Sequence, residues 1–236
     1  ISLTDGKQPM FVWLAMVAMK LIKDPLLASR LVSVIAGFVS MIGIYFLGRE
    51  LFKNRWIGLI SSVSYLFFPM ALVYDRMALY DTLVGTFSIW SLYLTTLLVR
   101  KLRLDIALLL GMIIGGGILT KSSAFFNIYL LPFSLLVFDW SKQKRLKRLL
   151  KLICLFLVAV ILAEIFYFIL RLSPFYHIIG EKNTIFVYPF SEWITHPFAF
   201  LRGNRMAIWD WLNRYATWPV LILIISSFFI SRNYLK

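Results

Sequence analysis

The sequence predicts an all-α, polytopic membrane protein with about seven spans. Three observations predict this class: an apolar composition, a series of long uncharged runs, and an uneven distribution of basic residues between the segments that connect the runs. Of the 236 residues, 61% are hydrophobic and 15% are charged, whereas a soluble domain has roughly 45–50% apolar and about 25% charged residues. A water-soluble globular fold is therefore not expected.

Seven stretches of the chain approach the length of about 20 mostly apolar residues that a membrane-crossing helix needs. Six of them carry no charged residue, and the sixth in order contains Glu164. The fourth and fifth are short and meet at Lys121, which predicts a helical hairpin with one charge at its tip. The predicted spans are 31–47, 56–74, 82–99, 106–120, 122–138, 152–170 and 215–231.

Basic residues concentrate in the connecting segments on one side of these spans. Segments 48–55, 100–105, 139–151 and 232–236 hold more than half of the 25 Lys and Arg residues, although the other side has many more loop residues. The positive-inside rule assigns the basic side to the cytoplasm. The net charge of +14 is thus explained by topology and by contact with anionic lipid, and it does not indicate nucleic-acid binding.

Two longer segments, 1–30 and 171–214, are predicted to lie on the outer side. Residues 8–19 are apolar but too short to span, so they predict an interfacial helix on the outer leaflet. The expected organisation is an outer segment 1–30, a six-span membrane domain 31–170, an outer loop 171–214, and a last span with its cytoplasmic end over 215–236. Four tryptophans around the second outer segment suit an interfacial position; they are Trp193, Trp209, Trp211 and Trp218.

Isolated charges at the outer ends of the spans are the candidate functional residues. Lys7 precedes the interfacial helix, Arg76 and Asp81 lie in the turn 75–81, and Lys121 occupies the tip of the hairpin. The positive-inside rule does not account for these cations, which favour binding of an anionic, lipid-linked group such as a phosphate. The alternatives are a snorkelling lysine for Lys7 and a structural ion pair between Arg76 and Asp81.

Metal and redox chemistry have weaker support in the sequence. His177 and Glu181 have the i, i+4 spacing of ligands on one helix face, but two ligands do not make a site, and a solvated pair in the outer loop is the simpler interpretation. Glu164 has no evident partner. Cys154 is the only cysteine, which excludes an intrachain disulfide and a cysteine-based metal cluster.

Five short segments, in order, resemble the motifs of a known family. The segment 5–13, Asp-Gly-Lys-Gln-Pro-Met-Phe-Val-Trp, resembles a Lys-Pro-Pro-Leu-x-x-Trp signature, and Arg-Leu-Val-Ser-Val at 30–34 resembles an Arg-Leu-Pro-Ser-Ala helix start. Segments 47–52 and 76–81 resemble a cytoplasmic helix end and an acidic outer turn, and 117–121 resembles a Leu-Thr-Lys segment. The family is that of the protein O-mannosyltransferases and aminoarabinose transferases, which are membrane glycosyltransferases of the GT-C fold.

This resemblance implies transfer of a sugar from a polyprenyl-phosphate donor to a protein or glycolipid acceptor on the outer face of the membrane. Such a reaction needs a general base for the acceptor and cations for the departing lipid phosphate. The resemblance assigns Lys7, Arg76 and Lys121 to the phosphate. It makes Asp81 and Asp5 the candidate catalytic carboxylates, with Asp81 in a supporting role.

Two departures from the family pattern lead us to expect a fragment from the middle of such an enzyme. The family's base is an aspartate upstream of the lysine motif, so we expect it before Ile1. Gly6 stands where some members have a metal-binding glutamate, which leaves open whether a divalent metal takes part, with Asp5 as a substitute ligand.

Two other functions remain open from the sequence. A transporter or lipid flippase needs charged groups within its spans or broken helices near the midplane of the membrane, and Glu164 is the one charge available within a predicted span. The other is a non-catalytic subunit of a glycan-assembly complex. The resemblance also leads us to expect a multi-pass protein of a prokaryotic plasma membrane with its active face outward.

Overall fold

The computed structural model of the chain describes residues 7–141, 143–186, 189–199 and 201–230, and every regular element in these ranges is a helix. Asp5 lies outside the described residues. The α-helices are α1 Met10–Ala18, α2 Pro25–Phe52, α3 Arg55–Phe67, α4 Pro69–Tyr74, α5 Tyr80–Lys101, α6 Leu104–Ile118, α7 Phe126–Tyr129, α8 Arg145–Phe168, α9 Tyr176–Phe186, α10 Phe190–Thr195 and α11 Leu201–Ile230. Short 3₁₀ helices cover Ser122–Phe125, Leu131–Val137 and Ile169–Leu172.

Among the residues that the structure describes, three helical segments are long and apolar enough to cross a membrane: Pro25–Phe52, Tyr80–Lys101 and Arg145–Leu172. They contain the first, third and sixth predicted spans. Local sequence explains the start of α2, because Asp24 Oδ1 accepts hydrogen bonds from the backbone N–H groups of Leu26 and Leu27 at 2.8 and 3.1 Å. Pro25 follows at the first helical position, where its missing N–H leaves no hydrogen bond unmade.

Two predicted spans are not the continuous helices that the sequence led us to expect. The run 56–74 is divided into α3 and α4 because Phe68 is extended and Pro69, which lacks an N–H, starts a new helix. The run 122–138 consists of two 3₁₀ helices flanking the single turn of α7. The described part of the chain thus has three long candidate spans and two shorter apolar segments, Leu104–Ile118 and Ser122–Val137, and seven full spans are not confirmed.

The remaining predicted segments take helical form. The seventh predicted span falls within α11, and most side chains in that part lie outside the described residues. Residues 171–214, which we expected to be an outer loop, contain α9, α10 and the beginning of α11. The helix predicted at 8–19 is present as α1, and its exposed apolar side chains, among them Trp13 and Met16, suit contact with lipid.

The main core forms where α6 packs between α5 and α8. Leu98, Leu110, Ile114 and Leu152 are completely buried in it. α6 and α8 approach closely at Gly111, where a Cβ atom would lie 2.7 Å from the carbonyl oxygen of Ala159 in α8, a contact of the kind that small residues permit between helices.

The bundle has two chemically distinct ends. At one end, Arg100 Nη1 donates to Glu50 Oε1 at 2.8 Å, which brings the basic segments 48–55 and 100–105 together; we call this the basic end. At the other end lie the start of α5 with Asp81 and the turn after α6 with Lys121, and we call it the Lys121 end. Asp81 and Lys121 therefore lie at the end of the bundle opposite the basic segments 48–55 and 100–105.

Candidate active site

Three segments that are distant in the chain meet at the Lys121 end. Gln8 Nε2 donates a hydrogen bond to Ser122 Oγ at 2.6 Å, and the backbone N–H of Met10 donates to the carbonyl oxygen of Leu119 at 3.0 Å. The Phe11 ring, at the start of α1, lies 4.8 Å from that of Tyr80, at the start of α5. Segments 7–11, 80–81 and 119–122 therefore form one surface.

The centre of this surface is an ion pair between Lys121 and Asp81, with Nζ 2.8 Å from Oδ1. Lys121 is extended after α6 ends, and Asp81 lies in the first turn of α5, where the helix dipole favours a carboxylate. Both side chains are about half exposed, at 48% and 45%. The pair is therefore open to a ligand from outside.

Lys7 and Arg76 occupy different positions relative to this pair. Lys7 is exposed and directly precedes Gln8, whose side chain reaches Ser122. Arg76 lines a cavity of about 380 Å³ between α2, α3 and α4. Among the described residues it makes no ion pair, so the Arg76–Asp81 pair considered from the sequence is not formed, and Asp81 pairs with Lys121 instead.

The structure adds a residue pair that sequence reasoning missed. Tyr65 Oη donates to Asp75 Oδ2 at 2.9 Å, and the Asp75 carboxylate packs so closely on α2 that a Cβ atom on Gly37 would lie 2.3 Å from Oδ2. Partial burial raises the pKa of the Asp75 carboxyl above its usual range, although the hydrogen bond from Tyr65 acts in the opposite direction. The only sequence signal was a tyrosine within an apolar run, ten residues before an aspartate.

Asp75 and Asp81 line the same small pocket. It has a volume of about 230 Å³ and is bordered by α2, α3, α4 and α5. The polar groups in its wall include Tyr65, Thr82 and Ser40. Asp81 therefore belongs both to the ion pair with Lys121 and to the wall of this pocket.

A larger apolar groove of about 580 Å³ lies below the same surface, between α1, α2, α5 and α6. Its wall includes Leu14 and Val17 of α1, Val32 of α2, and Leu83 and Phe87 of α5. Leu83 follows Asp81 by two residues on α5, and neither Asp81 nor Lys121 is among the residues that line the groove.

Of the other candidates from the sequence, His177 and Glu181 lie on α9, which packs against this surface through Ile179, in a cluster with Leu119 and Met10. His177 is exposed on α9, with Nδ1 3.0 Å from the carbonyl oxygen of Pro174, and Glu181 is exposed one helical turn further along. Glu164 is half-buried in α8. No three His, Cys, Asp or Glu side chains come together as a metal site in the part of the chain that the structure describes.

Comparison with known proteins identifies the family. The model of the dolichyl-phosphate-mannose-protein mannosyltransferase family matches residues 6–168, which include Lys7, the α5 segment with Asp81, and the Lys121 turn. Comparisons with curated proteins and with solved structures find no match. Since the family model covers more than half of the chain, this protein belongs to the dolichyl-phosphate-mannose-protein mannosyltransferase family, whose members are membrane glycosyltransferases.

Proposed function

We propose that the protein transfers a sugar from a polyprenyl-phosphate donor to a protein or glycolipid acceptor at the Lys121 end, on the outer face of a plasma membrane. The observation that carries this proposal is the meeting of three separate segments inside the family match: Gln8, next to Lys7, donates to Ser122, next to Lys121, and Lys121 pairs with Asp81. In the reaction, the acceptor oxygen bonds to the anomeric carbon as the bond from that carbon to the phosphate oxygen breaks. The acceptor proton passes to a base, and polyprenyl phosphate leaves.

Lys121 is the proposed binding group for the donor phosphate. Its ammonium has three N–H donors, and the hydrogen bond to Asp81 uses one of them. Because the side chain is 48% exposed, a phosphate can approach the others. The ammonium of Lys121 would then both bind the donor phosphate and stabilise the negative charge of the phosphate as it leaves.

Lys7 and Arg76 complete the proposed set of cations. The Gln8–Ser122 hydrogen bond fixes the segment of Lys7 beside the Lys121 turn. Arg76 lies beyond Asp75, on the cavity of α2, α3 and α4, so we propose a more peripheral contact for it. The apolar groove under α1 is the proposed place for the first part of the polyprenyl chain.

Asp81 is the proposed supporting carboxylate, since it holds Lys121 in position through the ion pair. Asp5, two residues before Lys7, is the other proposed catalytic carboxylate. A divalent metal that bound near Asp5 would add positive charge at the phosphate.

The experiment that tests this proposal measures transfer by the purified full-length protein in lipid nanodiscs. A panel of radiolabelled polyprenyl-phosphate sugars is offered with protein and glycolipid acceptors, and released polyprenyl phosphate and labelled product are quantified. We expect transfer with at least one donor and its loss in Lys121→Ala and Lys7→Ala. Lys53→Ala is the matched control, because Lys53 is a paired lysine at the basic end.

Two outcomes would contradict the proposal. Full activity in both lysine variants would show that neither lysine is needed to bind the donor phosphate. A second outcome is the absence of product. If the sugar lipid then moves across the bilayer, the protein is a transporter or flippase; if the folded protein shows neither activity, a non-catalytic subunit of a glycan-assembly complex is favoured.

A further inference from the structure

We infer that a cleft beside α5 binds one acyl chain of an anionic membrane phospholipid, and that Lys101 and Arg148 at the basic end hold the phosphate of this lipid. The cleft has a volume of about 390 Å³ and lies between the end of α2, the middle of α5 and the segment 127–137. We call it the α5 cleft. Its charged end lies opposite the Lys121 end, so this inference is independent of the proposed function.

The α5 cleft extends from the middle of the bundle to the basic end. On α5 its wall runs from Ser88 to Thr96, which is about 12 Å along a helix that rises about 1.5 Å per residue. Leu51, at the end of α2, also lines the cleft, and its carbonyl oxygen accepts a hydrogen bond from Arg100 Nη2 at 3.4 Å. The cleft therefore ends beside the cations of the basic end.

The accessible wall of the α5 cleft is mostly carbon, although several of its side chains carry polar groups. Two hydroxyl groups turn to the backbone, because Thr96 Oγ1 donates to the carbonyl oxygen four residues earlier at 2.8 Å and Ser134 Oγ to that three residues earlier at 2.6 Å. Ser91 Oγ and Asn127 Nδ2 are buried so fully that a ligand in the cleft does not reach them. A polar ligand would leave its own hydrogen bonds unmade here, whereas a hydrocarbon chain has none to lose.

The mouth of the α5 cleft opens to the side of the bundle. Leu92, Leu130, Phe133 and Leu136 line the cleft and are between 53% and 88% exposed. Leu92 belongs to the candidate span Tyr80–Lys101, so this exposed apolar surface lies at membrane depth, where it suits contact with lipid. An acyl chain of the surrounding bilayer can enter the cleft without crossing a polar layer.

The charge at the lower end of the cleft favours an anionic headgroup. Segments 48–55, 100–105 and 139–151 hold twelve Lys and Arg residues and three acidic residues. Two of these acids already form ion pairs, Glu50 with Arg100 at 2.8 Å and Asp105 with Arg103 at 2.7 Å. The remaining positive charge attracts an anionic phospholipid more strongly than a zwitterionic one.

Lys101 and Arg148 are the cations that we assign to the phosphate. Lys101 is the last residue of α5, five residues beyond the cleft wall on that helix, and its side chain is exposed. The Arg148 guanidinium lies 5.3 Å from the centre of the Phe138 ring, and Phe138 directly follows Val137 of the cleft wall. One N–H group of Arg148 donates to the Asp139 carbonyl oxygen at 3.4 Å. Since a guanidinium has five N–H groups, donors are left for a phosphate.

The experiment counts the lipids bound to the purified full-length protein by native mass spectrometry. Dioleoylphosphatidylglycerol, which is anionic, and dioleoylphosphatidylcholine, which is zwitterionic, are added in separate titrations. We expect wild type to bind one phosphatidylglycerol about tenfold more tightly than phosphatidylcholine, and Lys101→Gln/Arg148→Gln to lose this preference, since hydrogen bonds to a charged group are lost. Lys20→Gln/Lys23→Gln is the matched control, because these two lysines are exposed between α1 and α2.

Two further variants test the cleft from its opposite walls. Ser88 and Ser134 are half-buried residues of the wall, and a leucine at either position would occupy the space of the acyl chain. We expect Ser88→Leu and Ser134→Leu each to weaken binding of phosphatidylglycerol by about tenfold, since apolar contacts of several methylene groups are lost. Gly180→Leu is the control, because a Cβ atom there meets nothing within 4 Å. A monodisperse size-exclusion peak shows that each variant is folded.

Four results would overturn this inference. Equal binding of the two phospholipids by wild type would contradict selection by charge, and full phosphatidylglycerol binding by both leucine variants would contradict the cleft. Displacement of phosphatidylglycerol by polyprenyl phosphate would assign the cleft to the sugar donor instead. A protein dimer that Ser88→Leu dissociates would show that a second copy of the chain covers the cleft.

Discussion

The ion pair of Lys121 and Asp81 illustrates how little a residue contact at this site contributes to stability. Both side chains are about half exposed, and exposed ion pairs stabilise proteins by roughly 0–1 kcal/mol. The pair therefore has a small effect on folding, and its value lies in the charge that it presents at the end of the bundle. We expect Asp81→Asn to lower transfer activity more than tenfold while the unfolding temperature stays within a few degrees of the wild-type value.

The test for Asp81 measures initial transfer rates and thermal unfolding on the same preparation. Glu50→Gln is the control, since Glu50 is a paired carboxylate at the basic end. If Asp81→Asn loses activity only in proportion to its loss of folded protein, the ion pair acts through stability. That result would contradict the role assigned to Asp81 in transfer.

Asp75 has a predicted pH signature. Burial raises the pKa of this carboxyl, so ionising Asp75 costs more free energy in the folded protein than in the unfolded chain, and this cost grows as pH rises above the ordinary aspartate pKa. Asp75→Asn should therefore be at least as stable as wild type at pH 7. The difference should shrink as pH falls and vanish below the ordinary aspartate pKa of about 3.9.

This prediction is checked by measuring unfolding temperatures of both proteins between neutral and acidic pH. A variant that is less stable than wild type at pH 7 would contradict it. In that case the ionised Asp75 would be stabilised in the folded protein, and its hydrogen bond from Tyr65 would outweigh burial.

At the scale of helices, prediction from sequence succeeded where apolar runs were long and unbroken. The cores of α2, α5 and α8 lie at the predicted positions because an uncharged run of sufficient length forms a helix in either lipid or a protein core. It failed at Pro69, which divides α3 from α4, and between Ser122 and Val137, where turns of 3₁₀ helix replace a continuous span. Hydrophobicity alone does not distinguish a continuous helical span from an apolar run that is interrupted or forms 3₁₀ helix.

The contact of α6 with α8 leads to a stability prediction. A Cβ atom on Gly111 would lie 2.7 Å from the Ala159 carbonyl oxygen, and backbone on both sides cannot move aside easily. We expect Gly111→Ala to destabilise the protein by about 1–3 kcal/mol. Gly203→Ala is the control, because a Cβ atom there meets nothing within 4 Å.

Thermal unfolding in detergent, followed by loss of the monodisperse peak in size-exclusion chromatography, measures this effect. Equal stability of Gly111→Ala and Gly203→Ala would show that α6 and α8 do not approach as closely as the structure has them.

For the whole molecule, the sequence predicted candidate site residues, and the structure shows that Asp81 and Lys121 meet. Lys7, Asp81 and Lys121 were candidates because charges at helix ends are visible in the sequence. The pairing of Asp81 with Lys121 depends on how α5 and α6 pack, so the sequence left Arg76 open as an alternative partner for Asp81. The hydrogen bond between Tyr65 and Asp75 was missed because Tyr65 lies within a predicted span.

The arrangement of the two ends predicts the orientation of the protein in its membrane. In a Cys154→Ser background, Lys20→Cys at the Lys121 end should react with a membrane-impermeant maleimide on intact cells. Arg103→Cys at the basic end should react only after the cells are opened, because the positive-inside rule assigns that end to the cytoplasm. Both native side chains are exposed. The reverse labelling pattern would contradict an outward-facing site.

The most direct test of the central claim is the preference of the protein for polyprenyl phosphate over the uncharged polyprenol of the same length. Hydrogen bonds to charged groups contribute about 1.5–3 kcal/mol, so we expect wild type to bind the phosphorylated lipid at least about tenfold more tightly. Lys121→Ala should lose most of this preference and bind polyprenol as wild type does, whereas Lys53→Ala should keep it. An unchanged preference in Lys121→Ala would contradict the claim that the Lys121 end binds the lipid phosphate.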